Sequence, residues 1–334
     1  MRIDTENTRQ FYRRLNHPGY GVTELVVIDP NGEKGIIATG LFNNEHDFVE
    51  ACQAYSGRYN IYAGRNPRPR WFPKVCMNYL DRKRKHRARD MDIEYITAIS
   101  LDIDPMRPKG TSATIVQHKK AIEFATKLHH QLGGWVDDSG NGAYLWLPFR
   151  TAIPINDENR DEMKGRCKLW QANIVKAHEP EKHGLRIDGC FDLSRLKKVM
   201  GTQSMKGHVH RLSRFVIADG TRDDKVRNAI ISISSQAHGK AVIHVKPSQN
   251  LPAKFLKLLK TNRIIQQLWL TPDAQSDASM HDWFLGTELA KAGIVAEDMA
   301  RILMLNPFGK YQRDRRYSYI QSTVRNLVSK CSDS

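Results

Sequence analysis

Apolar and polar residues alternate in the middle of the chain as they do in a strand that is buried on one face. Residues 99–104 read Ile-Ser-Leu-Asp-Ile-Asp, and a period of two places the aliphatic side chains on one face and both carboxylates on the other. We therefore predict a strand over residues 95–104. A helical pattern follows over about 113–132, where Gly133 and Gly134 are typical of a helix end.

The pattern beyond this helix predicts a β-hairpin, a second helix and another strand. The turn of the hairpin is Ser-Gly-Asn-Gly at residues 139–142, with apolar residues on both sides. The second helix is predicted over about 156–177 and the last strand over 185–188. The order β-α-β-β-α-β is that of the ferredoxin-like or RRM-like antiparallel module.

Two further regions flank this module. Before it, strand and helix patterns predict an N-terminal α/β module over about residues 1–90, so that the RRM-like module covers about 91–248. After it, Pro247 and Pro252 interrupt the pattern, and helical periodicity predicts a C-terminal helical domain over 249–334. The predicted fold class is α+β, with domains at 1–248 and 249–334.

The charge balance points to a polyanionic partner. The chain has 52 Lys and Arg against 36 Asp and Glu, a formal charge of +16, and cations that neutralise phosphates release condensed counterions. The five cysteines form no C-x-x-C pair, which favours a reducing compartment over a disulfide framework. Without an apolar N-terminal core or a membrane-length apolar run, we expect a soluble protein of the cytoplasm.

Three motifs carry candidate chemistry, and each has an ordinary structural explanation when taken alone. Asp102 and Asp104 would lie about 7 Å apart on one strand face, a spacing suited to a divalent cation, although plain surface strands also carry this pattern. The glycines of Ser-Gly-Asn-Gly permit backbone amides to converge on an anion, although the same residues make an ordinary hairpin turn.

The third motif is a carboxylate followed by a basic stretch. Asp188 ends an apolar strand, and Arg195, Lys198 and Lys206 supply cations suited to a triphosphate. A basic surface hairpin would have the same composition. A separate basic run at residues 82–89 suits template phosphates, and a solvated charged helix is its alternative explanation.

In this order and spacing, the three motifs resemble those of the archaeo-eukaryotic primase superfamily over about residues 20–215. The resemblance is nearest to primase-polymerases of plasmids, phages and CRISPR-associated loci. It implies a primase catalytic core that performs template-dependent nucleotidyl transfer on single-stranded DNA by a two-metal mechanism and synthesises or extends primers. It also implies two Mg²⁺ or Mn²⁺ ions, nucleoside triphosphates as substrates, and a helicase or CRISPR-linked replication partner; zinc is not expected.

The resemblance also assigns residues by position. The implied metal-binding and catalytic residues are Asp102, Asp104 and Asp188. The implied nucleotide contacts are Ser139, Gly140, Asn141, Gly142, Tyr144, Arg195, Lys198, Thr202 and Lys206. The implied DNA contacts are Arg65, Arg68, Arg70, Arg82, Lys83, Arg84, Lys85 and Arg87.

The sequence departs from the family at Tyr144, where the family has a histidine. A phenol can donate a hydrogen bond to a phosphate oxygen but carries no positive charge near neutral pH. One alternative is therefore a catalytically weak relative that only binds nucleic acid. Another is a rolling-circle replication nuclease, which pairs a His-hydrophobic-His element such as His208-Val-His210 with a nucleophilic tyrosine.

Overall fold

The computed structural model describes residues 3–15, 19–69, 77–83, 87–108, 110–233, 250–271, 278–314 and 317–332. Internal contacts divide the chain into two compact units, Met1–Ser235 and Gln236–Ser334. The predicted boundary at 248/249 lies in a stretch outside the described residues, so its position stays a prediction.

The N-terminal part of the first unit is an antiparallel sheet with two helices. Its elements are α1 (Thr5–Leu15), β1 (Thr23–Ile28), β2 (Ile36–Phe42), α2 (Glu45–Tyr55) and β3 (Asn60–Gly64). Asn44 caps α2 by accepting a hydrogen bond from the Asp47 amide, the interaction that favours Asn at a helix start.

The remainder of the first unit contains the larger sheet, the last strand of the smaller sheet and a separate two-stranded sheet. Its elements are β4 (Tyr95–Pro105), α3 (Ile115–Leu132), β5 (Trp135–Asp138), β6 (Ala143–Pro154), α4 (Arg160–His178), β7 (Leu185–Asp188), β8 (Leu196–Lys198), β9 (Gln203–Ser204), β10 (Arg211–Leu212), β11 (Arg214–Ile217) and α5 (Lys225–Ser232). Short 3₁₀ helices span Asp90–Asp92 and Pro180–His183.

Strand order confirms the predicted fold class. The larger sheet has the order β11-β5-β6-β4-β7, and every neighbouring pair is antiparallel. The four strands β5-β6-β4-β7 give the ferredoxin-like arrangement that the β-α-β-β-α-β pattern predicts. The smaller sheet has the order β2-β1-β3-β8. Its strand β8 follows β7 of the larger sheet in the chain but pairs with β3.

The two faces of the larger sheet are buried against different layers. Ile99, Leu101 and Ile103 pack in one core with residues of α3 and α4, including Phe124 and Trp170. On the other face, Tyr144 and Trp146 pack in a core with Phe11, Phe42 and Val199 from the N-terminal elements and the basic stretch. The alternation in β4 therefore directs its carboxylates toward the second face, as the sequence predicts.

Local sequence signals determine where α3 begins and where it ends. Thr114 and Gln117 form a capping box at the start of the helix. Gly133 ends it at φ +76°, in a region that favours glycine. At Gly134 a Cβ would lie 2.1 Å from the Trp146 carbonyl oxygen, so β5 can approach β6 only because no side chain is present.

The second unit is helical in its described part. Its helices are α6 (Ala253–Thr261), α7 (Arg263–Leu270), α8 (Ala278–Lys291), α9 (Ala296–Leu305), α10 (Lys310–Asp314) and α11 (Tyr317–Ser332), around a core that includes Leu285, Leu303 and Val324. Asn262 separates α6 from α7, and its side chain accepts from the Ile264 and Ile265 amides at the start of α7. Among the described residues, no helix combines the length and apolarity needed to cross a bilayer.

Candidate active site

Three carboxylates lie on one face of the larger sheet. The register pairs Asp102 of β4 with Asp188 of β7 on one side and with Tyr144 of β6 on the other. Residues opposite one another in antiparallel strands share a face, so these three side chains form a row across the sheet. Asp104 follows two residues after Asp102 on the same face. The structure thus brings together the predicted acidic residues from two strands separated by 80 residues of chain.

Burial, and after it mutual repulsion, determines the electrostatics of this row. Burial, together with the negative charges of Asp104 and Asp188, raises the pKa of Asp102 well above its ordinary value. Positive charge from Arg195 and Lys197 acts in the opposite direction but does not cancel the rise. A cation at this position would relieve the repulsion and favour the ionised form of Asp102.

Two arginines that the sequence interpretation missed contact the carboxylates. The Nε atom of Arg186 lies 3.0 Å from Asp188 Oδ1, and its Nη2 lies 4.0 Å from Asp104 Oδ2. Arg107 Nη2 lies 3.6 Å from Asp104 Oδ1. Arg186 precedes Asp188 by two residues in β7, and this period-two spacing is the signal that could have placed both on one face.

The carboxylates fit a hard divalent cation by their donor chemistry, since Mg²⁺ and Mn²⁺ favour carboxylate oxygens. Their side chains are not gathered in metal-binding geometry, however. Among the described residues, one group has potential ligand atoms within 4.8 Å of one another, His46, Asp47 and Glu50 on α2. This α2 group is solvent-accessible, and nothing in the sequence interpretation assigned it a role.

The smaller sheet contributes an aromatic and a cationic side chain near the carboxylates. Tyr62 of β3 is paired with Lys198 of β8, and burial together with the charges of Asp102 and Asp104 raises its pKa to about 12. Lys198 Nζ lies 5.6 Å from the centre of the Tyr62 ring and donates to the Gln203 carbonyl oxygen. Burial lowers the pKa of Lys198 to about 7. Its predicted triphosphate contact would require this buried ammonium group to change partners.

A buried lysine lies beneath Tyr144. Lys197 Nζ is 2.8 Å from Asp137 Oδ2, and both side chains are 2% exposed. The same ammonium group is 4.9 Å from the ring centre of Tyr144 and 3.8 Å from that of Trp146. Burial lowers the pKa of Lys197 to about 8, and burial with the charge of Asp102 raises the pKa of Tyr144, so its phenol stays protonated.

Backbone amides of the Ser-Gly-Asn-Gly turn, which the sequence interpretation expects to be free, already donate hydrogen bonds within the protein. The Gly140 amide donates to Asp138 Oδ1, and the Gly142 amide donates to Ser139 Oγ. Asn141 is buried, accepts from the Ala113 amide and donates to Ser204 Oγ. A cradle of free amides at Gly140 and Gly142 is therefore wrong, and Asn141 has a structural role; Ser139 keeps partial exposure.

The basic stretch divides into accessible and buried positions. Arg195 keeps a third of its side chain exposed and lies 3.9 Å from Asp192. Lys206 is exposed and makes no ion pair among the described residues. Thr202 is fully buried and its hydroxyl donates to the Val199 carbonyl oxygen, and its nucleotide contact stays a prediction from the resemblance. His208 and His210 are exposed and lie outside the larger sheet, just before β10.

Two of the predicted DNA contacts are core residues. Arg65 is 2% exposed and donates to the carbonyl oxygens of Cys190 and Asp192. Arg68 is fully buried and ion-paired with Glu24 at 2.5 Å. Both guanidinium groups are engaged inside the fold, and a DNA contact at Arg65 and Arg68 stays a prediction from the resemblance. Arg82, Lys83 and Arg87 are exposed, whereas Arg70, Arg84 and Lys85 lie outside the described residues.

Comparisons with known proteins give weak structural likenesses. No protein-family model matches the chain, and no curated protein sequence matches it significantly. Two solved structures are similar to the chain at low identity. The crystal structure of primase RepB′ has a TM-score of 0.42 and 11% identity, with 98% of this chain and 97% of that chain covered. The primase-polymerase domain of cyanophage S-2L has a TM-score of 0.41 and 11% identity, with 70% of this chain and 99% of that chain covered. The first of these proteins is a primase and the second a primase-polymerase.

Proposed function

We propose that the protein is a primase-polymerase that joins nucleotides on a single-stranded DNA template. The observation that carries this proposal is the row of Asp102 and Asp188, with Asp104 beside it, on one sheet face. The positive charges of Arg195 and Lys197 act on that row. Carboxylates that repel one another favour a bound cation, and basic side chains within reach of them can bind phosphate oxygens. This arrangement suits a reaction between a metal-bound phosphate and a hydroxyl group.

Each group has a defined part in this proposal. Asp102, Asp104 and Asp188 would hold divalent ions, which would supply a Lewis acid for the attacked phosphate and for the leaving pyrophosphate. Arg195 and Lys206 bind triphosphate oxygens, since both retain accessible side chains. Tyr144 donates from a neutral phenol, and Ser139 from a partly exposed hydroxyl. Arg186 exchanges its carboxylate contacts when cations bind.

The template is proposed to follow exposed basic residues. Arg82, Lys83 and Arg87 supply positive charge without base readout, which suits a template of any sequence. The formal charge of +16 favours the same partner. Association with a helicase or with CRISPR-linked proteins stays a prediction from the resemblance.

The test is nucleotide incorporation on single-stranded DNA, with and without a primer, in Mg²⁺ or Mn²⁺. Asp102→Asn and Asp188→Asn preserve side-chain shape but remove charge, and we expect each to reduce incorporation by at least 100-fold. Asp161→Asn on the exposed start of α4 is the matched control and should retain full activity. DNA affinity, measured by fluorescence anisotropy, should be unchanged in all three variants. Normal synthesis by the Asp102 variant would refute the proposal.

A second candidate function has specific support. The occupied amides of Gly140 and Gly142 and the buried Tyr144 leave fewer free donors for a triphosphate. A chain with these features would bind primed DNA without extending it. Tight DNA binding with no incorporation in either metal would favour this candidate, whereas a covalent link to a cleaved DNA 5′ end would require a nuclease.

A further inference from the structure

A cavity of about 550 Å³ lies on the helical face of the larger sheet, opposite the carboxylate row. We call it the α3 cavity. Its lining residues come from α3 and from the segment between α4 and β7, namely Lys120, Glu123, Phe124, Lys127, Lys182, His183, Gly184 and Leu185. None of them belongs to the proposed active site, and the volume is in the range of small-molecule sites.

The lining is strongly cationic. Three exposed lysines, Lys120, Lys127 and Lys182, face the cavity with one carboxylate, Glu123. The carboxylate of Glu123 is 3.7 Å from Lys119, which lies outside the lining. Lys182 pairs with Glu179, but both side chains are more than half exposed, and such a pair contributes little. Lys120 and Lys127 make no ion pair in the part of the chain that the structure describes. The cavity lining therefore has an excess of positive charge.

Aromatic surface lies next to these lysines. The exposed imidazole ring of His183 is backed by the buried ring of Phe124, whose centre is 5.6 Å away. Bases stack on aromatic rings of any kind, and lysines beside such rings bind the neighbouring phosphates. The combination suits a ligand that has both a base and a phosphate group.

The cavity also adjoins the carboxylate strands through the backbone. The Gly184 carbonyl oxygen accepts from the Met106 amide, and Leu185 pairs with Pro105 at the end of β4. The next residue, Arg186, contacts Asp188 and Asp104. A ligand in the cavity would thus contact Leu185. Leu185 directly precedes Arg186, the arginine that contacts the carboxylates.

We infer that the α3 cavity is a second phosphate-binding site, which takes a nucleotide unit with its phosphate on Lys120, Lys127 and Lys182 and its base against His183. The unit belongs either to a single DNA strand or to a free nucleotide, because both present the same chemistry. This inference does not depend on the proposed active site.

The test measures ligand-dependent protection of lysines from acetylation in the full chain, followed by mass spectrometry. The ligands are an oligothymidylate of 20 nucleotides, ATP and inorganic phosphate. We expect protection of Lys120, Lys127 and Lys182 by at least fivefold, with Lys119 and Lys176 unprotected. Protection by the oligonucleotide identifies a strand, and protection by ATP alone identifies a free nucleotide. Absence of protection by any of these ligands at millimolar concentration would overturn the inference.

Binding of variants provides the second arm. The triple variant Lys120→Ala, Lys127→Ala, Lys182→Ala is compared with Lys34→Ala, Lys119→Ala, Lys176→Ala, which removes the same charge from exposed positions outside the cavity. If the ligand is a strand, the slope of log affinity against log salt should fall by about 2 in the first variant, because each contact to a single strand contributes about 0.7. If the ligand is ATP, its affinity should fall at least tenfold. Equal behaviour of the two triple variants would overturn the inference, whatever the result of the synthesis assay.

Discussion

The substitution Arg68→Met tests whether this arginine belongs to the fold or to a DNA-binding surface. Arg68 and Glu24 are both fully buried. Arg68 Nε and Nη2 lie 3.0 Å and 2.5 Å from Glu24 Oε2, and Nη1 donates to the Asn66 carbonyl oxygen at 2.8 Å. Glu24 Oε1 accepts from the Ala88 amide at 2.7 Å. The substitution would leave a buried carboxylate with that single amide as its remaining partner among the described residues.

The magnitude follows from this loss. Removing one partner of a buried ion pair costs about 3–5 kcal/mol, because the other charge stays in a medium of low polarity. The first unit spans Met1–Ser235, and for that size each 1 kcal/mol corresponds to about 2–4 °C in Tm. We therefore expect the thermal transition of this unit to fall by about 6–20 °C. Adding Glu24→Gln should restore part of the loss, since the unpaired charge is then removed.

The assay pairs thermal unfolding with DNA binding, and Arg82→Met is the matched control. Arg82 is exposed, with its guanidinium 5.9 Å from the Tyr55 ring centre. We expect Arg82→Met to change Tm by less than about 2 °C, as for other surface substitutions, and to weaken DNA binding. At a temperature where Arg68→Met is folded, its DNA affinity should match that of the unsubstituted protein. An unchanged Tm together with reduced DNA affinity in Arg68→Met would refute the structural assignment.

Two further substitutions test the site from its supporting residues. Gly142→Ala would place a Cβ 2.5 Å from both Asp104 Oδ1 and the Ile103 carbonyl oxygen, so we expect a loss of about 1–3 kcal/mol in urea unfolding and reduced synthesis. Gly165→Ala in α4 meets no atom within 4 Å and should be neutral or slightly stabilising. Lys198→Met tests the buried ammonium group, whose pKa burial lowers to about 7 from 10.5. Between these values the unfolded chain binds the proton more tightly, so stability relative to Lys198→Met should rise with pH from about 7 to 10; a flat difference in urea unfolding would contradict this.

The elements that the sequence predicts well are those whose signal is local. The alternation over 99–104 depends on neighbours two residues apart, and it correctly separates Ile99, Leu101 and Ile103 from the carboxylates. The end of α3 at Gly133 depends on one residue's backbone conformation. The register between two strands cannot be derived from such a local signal. That Asp102 lies opposite Asp188 depends on how β4 and β7 pair, which no local pattern contains.

The assigned site residues that the structure buries share a physical cause. Arg65 and Arg68 stand in a basic segment, and composition predicts a solvated surface for such segments. What buries Arg68 is Glu24, 44 residues earlier, and what occupies Arg65 is backbone 125 and 127 residues later. The Ser-Gly-Asn-Gly turn is a similar case, because Asn141 is held by Ser204, 63 residues away. Partners at such separations determine whether a polar residue faces solvent or the core.

Arg65 also bears on how activity data on this site should be understood. Asp188 belongs to the larger sheet and Lys197 lies in β8 of the smaller sheet, so the segment between them joins the two sheets. Arg65 donates to the carbonyl oxygens of Cys190 and Asp192 in that segment, and its amide donates to the Arg195 carbonyl oxygen. Because Arg65 follows β3 directly, it fixes the position of one sheet's cations relative to the other sheet's carboxylates. Loss of synthesis in an Arg65 variant would therefore be expected from displaced catalytic groups, and it would give no evidence that Arg65 contacts DNA.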